Sequence, residues 1–215
     1  MGSTEQTFFR SVIDRGFYIA DVGANQGSYA LLFSQLTGPT GRVDAFEPDS
    51  LLFRALQENC HDNGPGNIVV HHCALGASNG QMRLWKSLLN SGDNRLMLVD
   101  APGPGIDVAV QRMDDILGER PPDFIKIDVQ GWEPAVFAGM EKLLASGARL
   151  RVYFEFWPYG MRAAGFEPES LPFHLLERGF RLLHPSSGRD LGRSDVSALV
   201  KSLSGKAYTN LYAWR

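Results

Sequence analysis

Two short stretches of this chain set glycines beside acidic side chains. The first is Asp21-Val22-Gly23-Ala24-Asn25-Gln26-Gly27, and the second is Lys126-Ile127-Asp128-Val129-Gln130-Gly131-Trp132-Glu133. Glycine lets a backbone turn tightly and approach a ligand with no Cβ in the way. Carboxylates in such loops accept strong hydrogen bonds or attract positive charge. A third acid, Glu47, precedes Pro48 at the end of a short apolar run, where a carboxylate can accept both hydroxyls of a ribose. Pro48 fixes the chain after it.

The charge of these residues selects between ligands. A dinucleotide brings a negative pyrophosphate, normally cradled by paired early glycines in the pattern G-x-G-x-x-G. The pattern here is Gly-Ala-Asn-Gln-Gly, with Asp21 at its entrance. S-adenosylmethionine has no phosphate and carries a sulfonium and an ammonium group. Asp21, Glu47 and Asp128 would attract that molecule and repel a pyrophosphate.

Short apolar runs alternating with amphipathic stretches predict βαβ units and a parallel sheet. Helices are expected at 4–15, 28–36, 50–63, from about Pro134, at 169–178 and at 195–202. Ser50 is the expected N-cap of the third. Strands are expected at 17–22, 42–46, 68–72, 124–129, 149–156, 180–183 and 207–214. The closing strands suit an antiparallel edge on a mostly parallel sheet. Between residues 77 and 112 the pattern changes to two strands, 82–86 and 106–111, around a Gly/Pro-containing loop. This β excursion is expected to carry a lid or substrate loop. A chain of 215 residues fits one such domain, 1–215, with a single core.

Composition excludes several classes. With 21 basic and 24 acidic residues the net charge is -3, and no Lys/Arg run marks a nucleic-acid footprint. No apolar run nears the ~18 residues that span a bilayer, and the amino terminus lacks a secretory pattern. A cytoplasmic protein is expected. Cys60 and Cys73 are expected to be free thiols, without metal-ligand spacing. No resident metal is expected, although Asp128 with another acid could hold Mg²⁺.

Taken in order, 21–27, Ala45-Phe46-Glu47-Pro48, Ser91-Gly92-Asp93-Asn94-Arg95-Leu96 and 126–133 resemble the FkbM family of methyltransferases over about residues 17–157. The resemblance implies a class I methyltransferase fold, a Rossmann-like seven-stranded sheet with S-adenosylmethionine as donor. It further implies O-methylation of hydroxyls on metabolites, sugars or polyketides. Donor-binding positions would be Asp21, Gly23, Ala24, Asn25, Gly27, Glu47, Pro48 and Asp128, with Cys73 and Ala74 beside the adenine. The family usually has Glu where this chain has Gln130, and the segment before the first strand is short, which suggests a reduced substrate cover.

For the chemistry, Asp128 is the leading base or orienting group, since methyl transfer needs an aligned nucleophile and an alcohol gains from a base. Glu133 either faces the same cavity or starts a helix. Glu155, within an apolar run, must be paired or pocket-facing. Asp93, Asn94 and Arg95 are assigned to the acceptor, with Arg95 able to clamp an anionic group or pair with Glu133. Trp132, with Trp157, Tyr159 and Phe166, could line an apolar acceptor pocket. One of His71 and His72 could be a base, although rim histidines are commonly structural, and His174 and His184 are read as structural or exposed. The expected partner is a small-molecule or glycan acceptor, with a homo-oligomer allowed. Two other readings stay open: a nicotinamide-dependent oxidoreductase, and a non-catalytic cofactor-binding domain.

Overall fold

The computed structural model describes residues 4–86, 95–96, 105–117 and 120–215, and of Arg95 only the backbone. Helix α1 (Thr4–Val12) leads to strand β1 (Tyr18–Val22), which is buried at all five positions. Burial on both faces is the mark of a central parallel strand. Helix α2 (Ser28–Thr37), strand β2 (Arg42–Phe46), helix α3 (Ser50–Asn63) and strand β3 (Ile68–His71) follow. The excursion comprises strands β4 (Ala74–Leu75), β5 (Gly80–Trp85), β6 (Arg95–Leu96) and β7 (Gly105–Gln111). After helix α4 (Met113–Ile116) come strand β8 (Phe124–Ile127), helices α5 (Glu133–Ala138) and α6 (Glu141–Ala145), and strand β9 (Arg151–Phe156). Helices α7 (Pro158–Ala163) and α8 (Ser170–Glu177), strands β10 (Arg181–His184) and β11 (Arg189–Asp190), helix α9 (Arg193–Ser202) and strand β12 (Thr209–Trp214) complete the order.

The main sheet runs β11-β10-β12-β9-β8-β1-β2-β3. Strands β3, β2, β1, β8 and β9 are mutually parallel, while β12 is antiparallel to both β9 and β10. Seven of these strands are those expected from the sequence. The eighth, β11, is a two-residue antiparallel addition at the outer edge. Strands β4–β7 form a second sheet in the order β4-β7-β5-β6. The direction of winding reverses between β1 and β8. The loops leaving their carboxyl ends therefore diverge and open a crevice.

Alternation along each strand separates two apolar layers. Ile19, Phe124 and Tyr153 face α1 and α2, meeting Phe9 and Phe33. Ile125, Ile127, Val152 and Phe154 face the other way, with Phe137, Met140 and Leu175. The same alternation puts Asp21, Lys126 and Glu155 on the α1 side, at the carboxyl ends of their strands.

Several boundaries differ from the sequence reading. Helix α1 stops at Val12, three residues before Arg15, where the chain turns through Gly16 to bond Thr37 O. Asp49, and not Ser50, caps α3: its Oδ1 accepts from Leu51 N at 2.8 Å and Leu52 N at 3.3 Å. Asp49 keeps an extended backbone after Pro48, which leaves its carboxylate under the first free amides. Strand β8 ends at Ile127, two residues early, as Asp128 peels away into the crevice loop. Helices α4, α6 and α7, of four to six residues, carry too few turns for a periodic signal.

Candidate active site

A cavity of about 450 Å³ opens at the crevice, lined by the loops after β1, β2 and β8, by α2 and by the excursion. The first loop follows from Gly23. Its φ is 80°, and a Cβ there would stand 2.0 Å from Asp128 O, so the β1 and β8 loops touch through bare backbone. Gly23 N and Ala24 N both donate to Phe46 O, drawing the loop over β2. Asn25 has φ 51°, which Asn tolerates better than most residues. Gly23, Ala24 and Asn25 line the cavity; Gly27, the N-cap of α2, does not.

Glu47 lines the cavity beside Pro48 and is almost fully buried. Its Oε2 accepts from Asn25 N and its Oε1 from Asp49 N, both at 2.9 Å. Two backbone amides thus aim the carboxylate and leave its remaining lone pairs towards the cavity. Burial pushes its pKa up to about 7, against those two hydrogen bonds. Cys73 and Ala74 line the same end with Leu75, Leu84, Leu96 and Trp132. The excursion therefore contributes a wall through Leu84 of β5 and Leu96 of β6. Both cysteines are free, and burial raises each thiol to about 11.

The opposite end is crowded with charge. Asp21 is completely buried, and neither carboxylate oxygen has a hydrogen-bond partner among the described residues. Lys126 Nζ lies 3.7 Å from Asp21 Oδ1 and 3.4 Å from Asp128 Oδ2. Burial raises the pKa of Asp21 to about 6, with Lys126 opposing and Asp128 adding to the rise. Burial works against the charge of Lys126, but Asp128 and Asp21 outweigh it and hold its pKa above the ordinary lysine value. Asp128 lines the cavity with a side chain 39% exposed, so it is open to a ligand.

Gln130 also lines the cavity and joins two acids. Its Nε2 donates to Asp128 Oδ1 at 3.0 Å and to Glu155 Oε1 and Oε2 at 3.2 and 3.1 Å. Its φ of 57° is unfavourable for such a side chain, by about 1 kcal/mol or more. The surroundings impose it. Gly131, at φ 98°, packs so closely on Gly160 that a Cβ would lie 2.4 Å from that carbonyl carbon. Glu133 Oε1 accepts from Val129 N at 3.0 Å and Gly131 N at 3.3 Å, clamping both sides of the turn. Burial, with Asp128 and Glu133 nearby, raises Glu155 far above the carboxylate range, and burial raises Glu133 as well.

Asp128, Glu47, Cys73, Ala74 and Trp132 therefore meet in one cavity. Asp21, expected to bind the donor, does not line it: fully buried, it stands behind Lys126, while Glu133 and Glu155 lie behind the wall and reach the cavity through the 129–131 turn and Gln130. Asp93 and Asn94 lie outside the described residues, as does the Arg95 side chain. Trp157, Tyr159 and Phe166 do not line the cavity; Phe166 backs Trp132 at 5.4 Å between ring centroids. The histidines are occupied elsewhere. His71 pairs with Asp44 and stacks on Phe46, His72 stacks on Phe53, His174 meets Glu141 and His184 meets Thr209. Lys126, Gln130 and Tyr29 are cavity residues that sequence reasoning did not assign. The first two stood inside the second glycine motif, and Tyr29 carried no local signal. Among the described residues no group of three or more His, Cys, Asp or Glu could hold a metal ion. No helix among them is long and apolar enough to cross a membrane.

Known proteins resemble this chain in sequence and in fold. The chain is 30% identical over 129 residues to the hexuronic acid methyltransferase AglP of Haloferax volcanii, covering 59% of this chain and 51% of that one. It is 30% identical over 172 residues to the 31-O-demethyl-FK506 methyltransferase FkbM of Streptomyces tacrolimicus, covering 64% and 65%. The chain thus spans about half to two thirds of the length of these relatives. A SAM-dependent O-methyltransferase from Thermotoga maritima superposes with a TM-score of 0.53 at 12% identity, over 100% of this chain and 66% of the other. That likeness is one of fold, and it is the class I methyltransferase fold. The family model described as the methyltransferase FkbM domain matches residues 21–182, and this chain belongs to that family.

Proposed function

We propose that the chain is a methyltransferase that takes its methyl group from S-adenosylmethionine and places it on a hydroxyl of a small-molecule or glycan acceptor. One observation carries the donor half of this reading. Among the described residues lining the cavity, Lys126 is the single Lys or Arg, and it is held by Asp21 and Asp128. A pyrophosphate would find no free cation there, whereas a sulfonium or ammonium group would find acids. The fit extends to detail. Glu47 lines the cavity with a carboxylate held by two backbone amides, and Asp128 faces it with a side chain 39% exposed.

When bound, the donor supplies an electrophilic methyl carbon on sulfur. Glu47, aimed by Asn25 N and Asp49 N, is suited to accept the ribose hydroxyls. Pro48, Cys73, Ala74, Leu84 and Leu96 form the apolar end suited to the adenine. Asp128 would take the proton of the acceptor hydroxyl as that oxygen accepts the methyl group, the donor leaving as a neutral thioether. Gln130 orients Asp128 and pairs with Glu155, while Trp132, with the apolar residues of the Glu47 end, excludes water from the cavity. Asp93, Asn94 and Arg95 are proposed to meet the acceptor.

Calorimetry with S-adenosylmethionine and S-adenosylhomocysteine tests the donor. Micromolar binding of both is expected. A folded protein that binds neither at millimolar concentration, or that binds NADH in their place, defeats the reading. Transfer of labelled methyl across a panel of sugars, uronic acids and macrocyclic alcohols then identifies the acceptor. Donor binding with no transfer to any of them would favour a non-catalytic domain.

A further inference from the structure

Asp21 of β1, Lys126 of β8, Tyr153 and Glu155 of β9, and Asn210 of β12 all project from the same face of the main sheet. Helix α1 lies across that polar stripe, with Phe9 buried among Phe33, Phe124 and Tyr153. Its first turn carries Glu5, and donors from three separate elements converge on that one carboxylate. The Tyr29 hydroxyl of α2 donates to Oε2. The Tyr153 hydroxyl and Asn210 Nδ2 donate to Oε1 at 3.0 and 2.9 Å.

An acid in the first turn of a helix is ordinarily a solvated group favoured by the helix dipole. Glu5 is half-buried and engaged far from its own helix. One of its partners belongs to the cavity, which Tyr29 helps to line. Lys126 Nζ, 5.0 Å from the centre of the Tyr29 ring, is the same atom that reaches Asp21 and Asp128. A cation over an aromatic face is held by the ring's quadrupole, so the ring's position bears on the lysine's. The chain of contacts runs from Glu5 to Tyr29, to Lys126, and on to the two acids of the charged end.

We infer that Glu5 is a positioning residue of the donor cavity, acting through Tyr29, so that α1 is part of the binding site as well as its support. The inference rests on the donor reading above. It goes beyond that reading by assigning a site role to a helix that lies before the matched family region begins at residue 21.

The test is calorimetric binding of S-adenosylhomocysteine, with thermal unfolding run on every variant. Glu5→Ala is expected to weaken binding by about fivefold, the order of one ordinary hydrogen bond, because its effect reaches the cavity through Tyr29. Tyr29→Phe, which keeps the ring and removes the tether, should do about the same. The double variant should be no more than about twofold worse than either single one, because both remove one interaction. Glu5→Gln retains an acceptor oxygen and should restore most of the loss. Tyr153→Phe removes a different donor from Glu5, away from the cavity, and should bind like the parent. Equal affinity in Glu5→Ala, additive losses in the double variant, or an equal loss in Tyr153→Phe would each overturn the inference. Should Glu5→Ala fail to fold, Glu5→Gln and Tyr29→Phe still decide it. A parent protein that does not bind S-adenosylhomocysteine would remove the donor reading and this inference together, whereas parent binding without the variant pattern removes this inference alone.

Discussion

The two ends of the cavity are made of different material. At the Glu47 end the key carboxylate is aimed by backbone amides of Asn25 and Asp49, and the walls are apolar: Leu75, Leu84, Leu96, Cys73 and Trp132. At the Asp128 end the work is done by side chains from distant strands. Asp21, Asp128 and Glu155 gather around one Lys126 and one Gln130, and Glu133 clamps the backbone of the turn that carries Gln130. A backbone-built end depends on local chain geometry and tolerates changes elsewhere. An end built from balanced charges depends on every member, since removing one leaves the others uncompensated in a poorly solvated place.

Lys126→Met is the most direct challenge to that contrast. Lys126 is 4% exposed, and its loss leaves Asp21 and Asp128 without their shared cation. Breaking a buried pair typically destabilises by 3–5 kcal/mol; about 3 kcal/mol is expected here because Asp128 keeps solvent access. Denaturant unfolding measures it. A loss below about 0.5 kcal/mol would mean the charged end is not balanced as described. Glu47→Ala should cost less, about 1 kcal/mol, because it leaves two backbone amides without their acceptor but no charge without its partner.

A crossed pair of variants separates the ends by function. Glu47→Ala is expected to weaken S-adenosylmethionine binding by roughly tenfold, through lost hydrogen bonds to the ribose. Asp128→Ala should keep donor binding within a few-fold and slow transfer at least about tenfold, as for removal of a positioned base. Calorimetry and single-turnover transfer read the two effects. If both variants lose affinity equally and neither loses rate, the division of labour between the ends is wrong.

The smallest effect is one of pH. Asp21 is raised to about 6 and Glu47 to about 7, above their unfolded values. A cationic donor favours their ionised forms, so its affinity should rise by several-fold between pH 5.5 and 8. The unliganded protein should behave oppositely. Its native state binds more protons than the unfolded chain through these carboxyls, so their contribution to stability is present below about pH 4 and lost as pH rises through 6 and 7. Thermal unfolding at constant ionic strength should show the midpoint falling over that range. Affinity that is flat with pH would indicate that the two acids are already ionised.

Much of the fold was legible from residue order. Strand β2 and helix α3 coincide with their expected bounds at both ends, because Gly38-Pro39-Thr40-Gly41 and Gly64-Pro65-Gly66 punctuate them clearly. Two of the excursion strands, β5 and β7, were visible as a change of period, whereas the two-residue β4 and β6 were not. The short helices α4, α6 and α7 were not, and the cap of α3 was placed one residue late because Ser50 and Asp49 are equally good capping types. In the site, Glu47 and the 21–27 loop stood out because a strand-end acid before proline and an acidic glycine turn are local signals, while the contacts that aim them, Asn25 N on Glu47 and Phe46 O on the loop, come from elsewhere in the chain. Glu155 was recognised as an acid costly to bury and Glu133 as one that faces the cavity or starts a helix, but their tasks were not legible. Whether each lines the cavity or braces a turn depends on the strand beside it.

The sequence alone determined the alternation of strands and helices, the acidic glycine loop and the placement of Glu47 after β2. Those features are written in local periodicity, turn chemistry and charge, which need no partner to be read. Tertiary structure decided what stands opposite what. Lys126 sits between Asp21 and Asp128 only because β8 pairs with β1, and Gln130 reaches Glu155 only because β9 lies beside β8. Glu5 meets Asn210 across 205 residues of chain. Burial then raised the acids' pKa values, because the loss of water is a property of the packed ensemble and not of any residue taken by itself.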